Sequence, residues 1–152
     1  MKRLRVYADT SVFGGCFDEE FAEPSSKFFD LVRDGRFRLV VSAVTAEELG
    51  GAPEHVRAVL DRAPREYLEY HEISEAMERL HDAYLEAGIL SAINDADALH
   101  VAAATVVDVD MIVSWNFKHI VHYDKIRGFN AVNRLNGYKL VEIYSPLEVV
   151  EP

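Results

Sequence analysis

Apolar and polar positions along this chain alternate in blocks rather than residue by residue. Leu4–Ala8 reads as a short strand that runs straight into the polar turn Asp9, Thr10, Ser11, followed by Gly14 and Gly15. Phe37–Ser42 is a nearly continuous apolar run, the pattern of a strand buried on both faces. Met111–Trp115 is a third apolar run, and it delivers Asn116 at its carboxyl end as the first delivers Asp9. Tyr67–Ile73 fits an edge strand, and Lys139–Tyr144 a last one before Ser145, Pro146 and a short terminal turn. Helices are expected between them. Pro24 and Ser25 start one that runs from about Ser26 to Arg33, with Phe28, Phe29 and Val32 inward and Gly35 as its stop. A second covers Val44–Leu49, and a third runs from Pro53 to about Ala63. Ser74 caps a longer one with the apolar stripe Met77, Leu80, Tyr84 and Leu85. Asn94 caps a helix to about Val107 whose alanines allow close approach to a sheet, and another spans Asp124–Leu135. Alternating strands and helices predict an α/β sandwich with a mainly parallel sheet, because parallel neighbours need helical crossovers. No repeat or linker divides the 152 residues, so one domain over 1–152 is expected.

Composition narrows the classes. Sixteen basic against 26 acidic side chains give a formal charge of −10, which argues against coating nucleic acid through a broad basic surface. With 49% hydrophobic residues the chain can bury a core, which excludes intrinsic disorder. The single Cys16 cannot form an internal disulfide, and no Cys/His spacing resembles a closed zinc site. The apolar run near the start is too short for a signal-peptide core, and no stretch approaches about 20 apolar residues. A soluble protein of a reducing cytoplasm, with no membrane association, is the expectation.

The candidate chemistry is acidic. In open parallel sheets the working crevice lies beyond the carboxyl ends of the strands, where Asp9 and Asn116 fall. Glu47 and Glu48 lie in the helix after the second strand, and Asp95 and Asp97 in the first turn of the alanine-rich helix. Adjacent helical residues diverge by about 100°, so only one of Glu47 and Glu48 faces a common pocket. Asp95 diverges from Asp97 by roughly 200° and is the more peripheral of the two. Asp9 has a plainer role as a loop-capping carboxylate, and Asp97 as a capping group near a helix start. Oxygen-only ligands from four segments suit Mg²⁺ or Mn²⁺.

The segments VYADTSV, VVSAVTAEEL, DADALHVAAA and IVSWNF, in this order between Val6 and Phe117, together with the terminal YSPLE, make the sequence resemble the PIN domain family, including VapC-like toxin ribonucleases. The resemblance implies a three-layer α/β/α sandwich and hydrolysis of RNA phosphodiester bonds. It assigns Asp9, Glu48 and Asp97 as the catalytic and metal-binding acids and places Asn116 in the fourth metal position. Glu48 is preferred because it directly precedes Leu49. Ser11 and Ser114 match hydroxyls that orient these ligands, with Asp95 as a further supporting residue. Asn116 stands where the family offers Asp or Asn, and its amide brings no charge, so a second ion would bind more weakly. As a toxin it would have a small antitoxin partner, and homodimers are common among such proteins. A weakly active or inactive RNA-binding or scaffold module and a housekeeping RNA-processing nuclease are the alternatives. A haloacid-dehalogenase-type phosphatase would need Asp where Ser11 stands, and neither a dinucleotide-binding glycine turn nor a P-loop is present.

Clustered carboxylates should repel one another and hold raised pKa values in the absence of metal. Charge is also unevenly spread. Phe117–Lys139 carries five bases and one acid, whereas Glu54–Glu86 carries nine acids and four bases. Lys118, Arg127, Asn130 and Arg134 are therefore candidate RNA contacts, the last three at helical spacing. His119 and His122 read as surface or structural residues.

Overall fold

The structure, a computed structural model, describes residues 3–150, so both ends of the expected 1–152 domain lie just outside the described residues. Five strands, β1 (Leu4–Ala8), β2 (Phe37–Ser42), β3 (Leu68–His71), β4 (Met111–Val113) and β5 (Ile143–Tyr144), form one sheet in the order β3-β2-β1-β4-β5. Every pairing is parallel, so the sheet is wholly rather than mainly parallel. The helices are α1 (Thr10–Gly15), α2 (Ala22–Arg33), α3 (Ala43–Gly50), α4 (Glu54–Asp61), α5 (Glu75–Glu86), α6 (Asp95–Val106), α7 (Tyr123–Leu135) and α8 (Pro146–Val150). No helix among the described residues is long and apolar enough to cross a membrane.

Strand side chains alternate between two faces, and that period builds two cores. Tyr7, Val40, Ile112 and Ile143 face a cluster with residues of α5, α6 and α7, including Met77, Leu80, Tyr84, Val101 and Phe129. Val6, Ala8, Leu39, Val41 and Val113 face the other, with Val12, Phe13, Phe28, Phe29, Val32, Val56, Val59 and Val150. The result is an α/β/α sandwich. Each fully buried Val, Leu or Phe contributes roughly 1.5–3 kcal/mol, so both layers are well anchored. The alanine-rich helix α6 is central as expected, with Ala98, Ala102, Ala103 and Ala104 all at 0–1% exposure.

Several boundaries differ from the sequence reading. The turn read at Asp9–Gly15 is the short helix α1, which the two glycines disguise. Gly15 is required there: a Cβ would lie 2.6 Å from Ser25 Oγ and 2.7 Å from Trp115 Nε1. Helix α2 starts at Ala22 rather than Ser26, with Pro24 inside its first turn, where a missing N–H costs nothing. β4 stops at Val113 rather than Trp115, because the Ser114 and Ser11 hydroxyls take over the backbone N–H groups that follow. The expected strand Lys139–Tyr144 shrinks to Ile143–Tyr144, because Asn130 binds both backbone groups of Val141 and holds that stretch against α7.

The chain steps from β1 to β2 to β3, then returns through α5 and α6 to place β4 on the other side of β1. That reversal makes the carboxyl ends of β1 and β4 the topological switch point, where open α/β sheets form their crevice.

Candidate active site

Asp9 follows β1 directly and is only 4% exposed. It stands at the N-cap of α1, yet its side chain makes no capping bond. Its carboxylate accepts instead from Ser11 Oγ at 2.6 Å on Oδ1 and from Ser114 Oγ at 2.9 Å on Oδ2. The backbone N–H of Trp115 donates to the same Ser11 hydroxyl at 2.9 Å, and that of Asn116 to Ser114 Oγ at 2.9 Å. Two serines thereby tie the loop after β4 to the acid after β1.

Glu48 on α3 is half-buried, while Glu47 beside it is exposed. Glu48 Oε1 accepts from Thr10 Oγ1 at 2.6 Å and pairs with His100 Nε2 at 2.6 Å. His100, on α6 and 2% exposed, places Nδ1 2.7 Å from the Tyr7 hydroxyl, which lies 2.8 Å from Ser42 Oγ. Both ring nitrogens thus face oxygen, and a doubly protonated ring can donate at each end. Burial opposes the charge most strongly, but Tyr7, the Glu48 hydrogen bond and the nearby Asp9 outweigh it and raise His100 above its ordinary value. His100 is buried beside Glu48, and its surroundings favour the protonated ring.

Asp97 lies three residues before His100, on the same face of α6. Its Oδ2 pairs with His119 Nδ1 at 3.0 Å, and Asn116 Oδ1 accepts the backbone N–H of His119 at 2.9 Å. Asn116 therefore shapes the loop that aims His119 at Asp97. Asp95 turns away, exposed and 3.9 Å from His81 on α5.

The expected raised pKa holds for Asp9 and fails for Glu48. Burial raises it, His100 and the two serine hydroxyls pull it down, and the Asp97 charge pushes it up. Glu48 moves the opposite way. Burial would raise it, but the His100 N–H and charge together with the Thr10 hydroxyl hold it below the usual carboxylate range. The sequence reading counted the carboxylates without His100.

No three His, Cys, Asp or Glu side chains among the described residues form a ready-made metal cage. The donor set does fit a hard cation held in an open, partly hydrated site. Its donors are all oxygen, and the protein partners occupy Oε1 of Glu48 and Oδ2 of Asp97, leaving the second oxygen of each to other ligands. Asp9, Glu48, Asp97 and Asn116 are the residues that would hold it.

Of the candidate RNA contacts, three are exposed and one is engaged within the fold. Arg127 and Arg134 are exposed on α7, with Arg127 over the Tyr123 ring at 5.5 Å. The Asn130 amide between them binds Val141 and Asn133. Lys118 is exposed in the loop beside Asn116. Sequence reasoning missed Tyr7, Thr10, His100 and the pairing of His119 with Asp97. The signal available for His100 was its place three residues after Asp97, within the quoted DADALHVAAA segment.

No curated protein matches the chain. Among solved structures, tyrosyl-tRNA synthetase from Aeropyrum pernix superposes with a TM-score of 0.48 at 12% identity, covering 94% of this chain and 53% of that one, so the chain spans about half of the synthetase's length. A family model, the PIN domain, matches residues 5–118, a span that contains all four residues of the acidic site. PIN domains are generally nucleases that typically use divalent metals. With that match over most of its length and an all-parallel α/β/α sandwich beneath it, the chain belongs to the PIN domain family.

Proposed function

We propose that this protein is a Mg²⁺- or Mn²⁺-dependent endoribonuclease formed by a single PIN-like domain, and that it serves as the toxin of a type II toxin–antitoxin pair. The observation that carries the nuclease reading is the gathering of Asp9, Glu48 and Asp97 at the switch point of the sheet, with the buried His100 paired to Glu48 and near enough to Asp9 to act on its charge. The uncharged Asn116 in the fourth position leaves three carboxylates for metal, which favours one-metal over two-metal catalysis. When bound, such an ion polarises a phosphate oxygen and lowers the pKa of an attached water.

The protein's own residues do the rest. Ser11 and Ser114 hold both oxygens of Asp9 in place, and His119 fixes Asp97. Thr10 and His100 restrain Glu48 through one oxygen, so the other can orient the attacking water. Because burial raises Asp9, metal competes there with a proton and should bind better as pH rises. The neutral Asn116, whose oxygen already accepts the His119 N–H, supports the second reading, an RNA-binding PIN module of weak activity. The toxin role rests on the VapC-like resemblance and implies a small antitoxin partner, with a homodimer as the expected assembly.

Incubating a mixed RNA pool with Mg²⁺ or Mn²⁺ and wild type, Asp97→Asn or Asn116→Asp separates the readings. Nuclease function predicts cleavage by wild type and loss in Asp97→Asn. Binding by wild type with cleavage only after Asn116→Asp would instead establish the weak module. A short reading frame beside the gene whose product suppresses cleavage would support the toxin role.

A further inference from the structure

Beyond the acids, one exposed aromatic ring is built into the same loop. Phe117 is 46% exposed and follows Asn116 directly. It is braced from beneath by Trp115, whose ring centroid lies 6.1 Å away at 66°, and by Phe21 at 6.5 Å and 56°. Phe21 and Trp115 stack on each other at 4.1 Å and 17°, and Trp115 Nε1 donates to the buried Ser25 Oγ at 2.7 Å. The support is therefore rigid. It is also registered to the acids, since the Ser11 hydroxyl that donates to Asp9 accepts the Trp115 N–H.

Hydrophobic burial would favour tucking a Phe ring away, so a ring fixed half in solvent is an available stacking surface. Its chain neighbours are Asn116 and the exposed Lys118, so polar groups flank the ring along the chain and a cation lies next to it in sequence. A protein partner needs a wider apolar area, whereas a planar base needs one ring face and a cation for its phosphate. Unpaired bases can leave their stack to meet such a ring, but bases within an A-form duplex cannot.

We propose that Phe117 is a base-stacking residue that docks one unpaired nucleobase of single-stranded RNA beside the acidic site, with Lys118 on the adjoining phosphate. This deepens the nuclease reading and rests on it for the choice of RNA. Phe117 and Lys118 thereby bias the enzyme towards single strands and set the position of the chain across Asp9 and Asp97.

The test is fluorescence anisotropy of a short labelled single-stranded RNA of mixed sequence, measured in Ca²⁺ and in a chelator. Wild type is compared with Phe117→Ala, Phe117→Tyr and, as a distant exposed control, Leu135→Ala. Phe117→Ala should weaken binding roughly tenfold, Phe117→Tyr should stay within about twofold, and Leu135→Ala should match wild type. Annealing the complement should remove the difference between wild type and Phe117→Ala. An unchanged far-UV circular dichroism spectrum and thermal midpoint confirm that the variants keep their fold. Equal single-strand affinity for wild type and Phe117→Ala overturns the proposal, as does an equal loss on duplex RNA. An unchanged RNA affinity with loss of a co-purifying protein overturns it in favour of a protein contact. Phe117-dependent binding without any Mg²⁺- or Mn²⁺-supported cleavage sustains the stacking role and rejects the nuclease reading, so the two fail separately.

Discussion

The two ends of strand β1 handle charge in opposite ways. At its amino-terminal end the half-buried Arg5 is held by protein partners. Its guanidinium donates to Glu69 Oε1 at 3.1 Å and to the carbonyls of Val107 and Asp108 at 2.8 and 2.9 Å, while its backbone N–H donates to Asp110 at 2.7 Å. The carbonyls belong to the end of α6, where the helix dipole favours a cation. Glu69 is completed by His71 at 2.6 Å, and this cluster pins the one described non-glycine residue of positive φ, Asp108 at 59°. At the carboxyl-terminal end, four residues on, Asp9 is held by two serine hydroxyls, Glu48 by Thr10 and His100, and Asp97 by His119. Among the described residues no Arg or Lys pairs with any of these three acids, whereas Glu69 pairs with Arg5. A permanent cationic partner, rather than burial or hydrogen-bond count, separates the two clusters.

Breaking each end should therefore change different observables. The largest effect is expected from Asp9→Asn, which should lower metal-dependent RNA cleavage by more than about a hundredfold, since it removes a proposed ligand. Urea denaturation of the same variant should show stability unchanged or increased, because burial already disfavours the Asp9 charge. Next is His100→Gln, which releases Glu48 and leaves the Tyr7 hydroxyl with a different partner. Metal affinity should fall by about 10- to 100-fold, with a loss of about 2–4 kcal/mol in stability, read by Mn²⁺ titration and by denaturation. If His100→Gln lost stability alone, the buried His100 would belong with Arg5 as a purely structural device.

At the other end, Arg5→Met should cost about 2–3 kcal/mol of stability while leaving cleavage per folded molecule unchanged. This end should also carry its own acid signature. The Arg5 hydrogen bond, against the opposing effect of burial and with help from His71, holds Glu69 down from 4.5 to about 2. A depressed carboxylate stabilises the fold above its ordinary pKa and loses that contribution as protons return. Stability should thus decline as pH falls from 4.5 towards about 2, and Glu69→Gln should show a shallower decline over the same interval. The smallest expected effect is Asn116→Asp: a carboxylate oxygen can still accept the His119 N–H, so the loop should persist and cleavage should rise a few-fold.

What the sequence made legible follows from locality. β2 and α6 were readable because an apolar run and an alanine-rich stripe declare themselves within a dozen residues. α1 was not, because Gly14 and Gly15 look like a turn until Ser25 and Trp115 are seen to pack against the second of them. β5 is short for a reason lodged on α7, at Asn130. In the site the acids were legible as residue types on expected elements. Their electrostatics were not, because His100 sits between Tyr7 on β1 and Glu48 on α3, and no local pattern joins positions 7, 48 and 100. Arg5 was invisible for the same reason, its partners lying on β3 and beyond α6.

The central claim is that the acids around Asp9 hold a divalent cation. Calorimetric titration of Mn²⁺ into the metal-free protein tests it most directly, with Asp9→Asn and Arg5→Met alongside. The account predicts saturable binding to wild type and Arg5→Met and loss of that binding in Asp9→Asn. Identical isotherms for wild type and Asp9→Asn would contradict it.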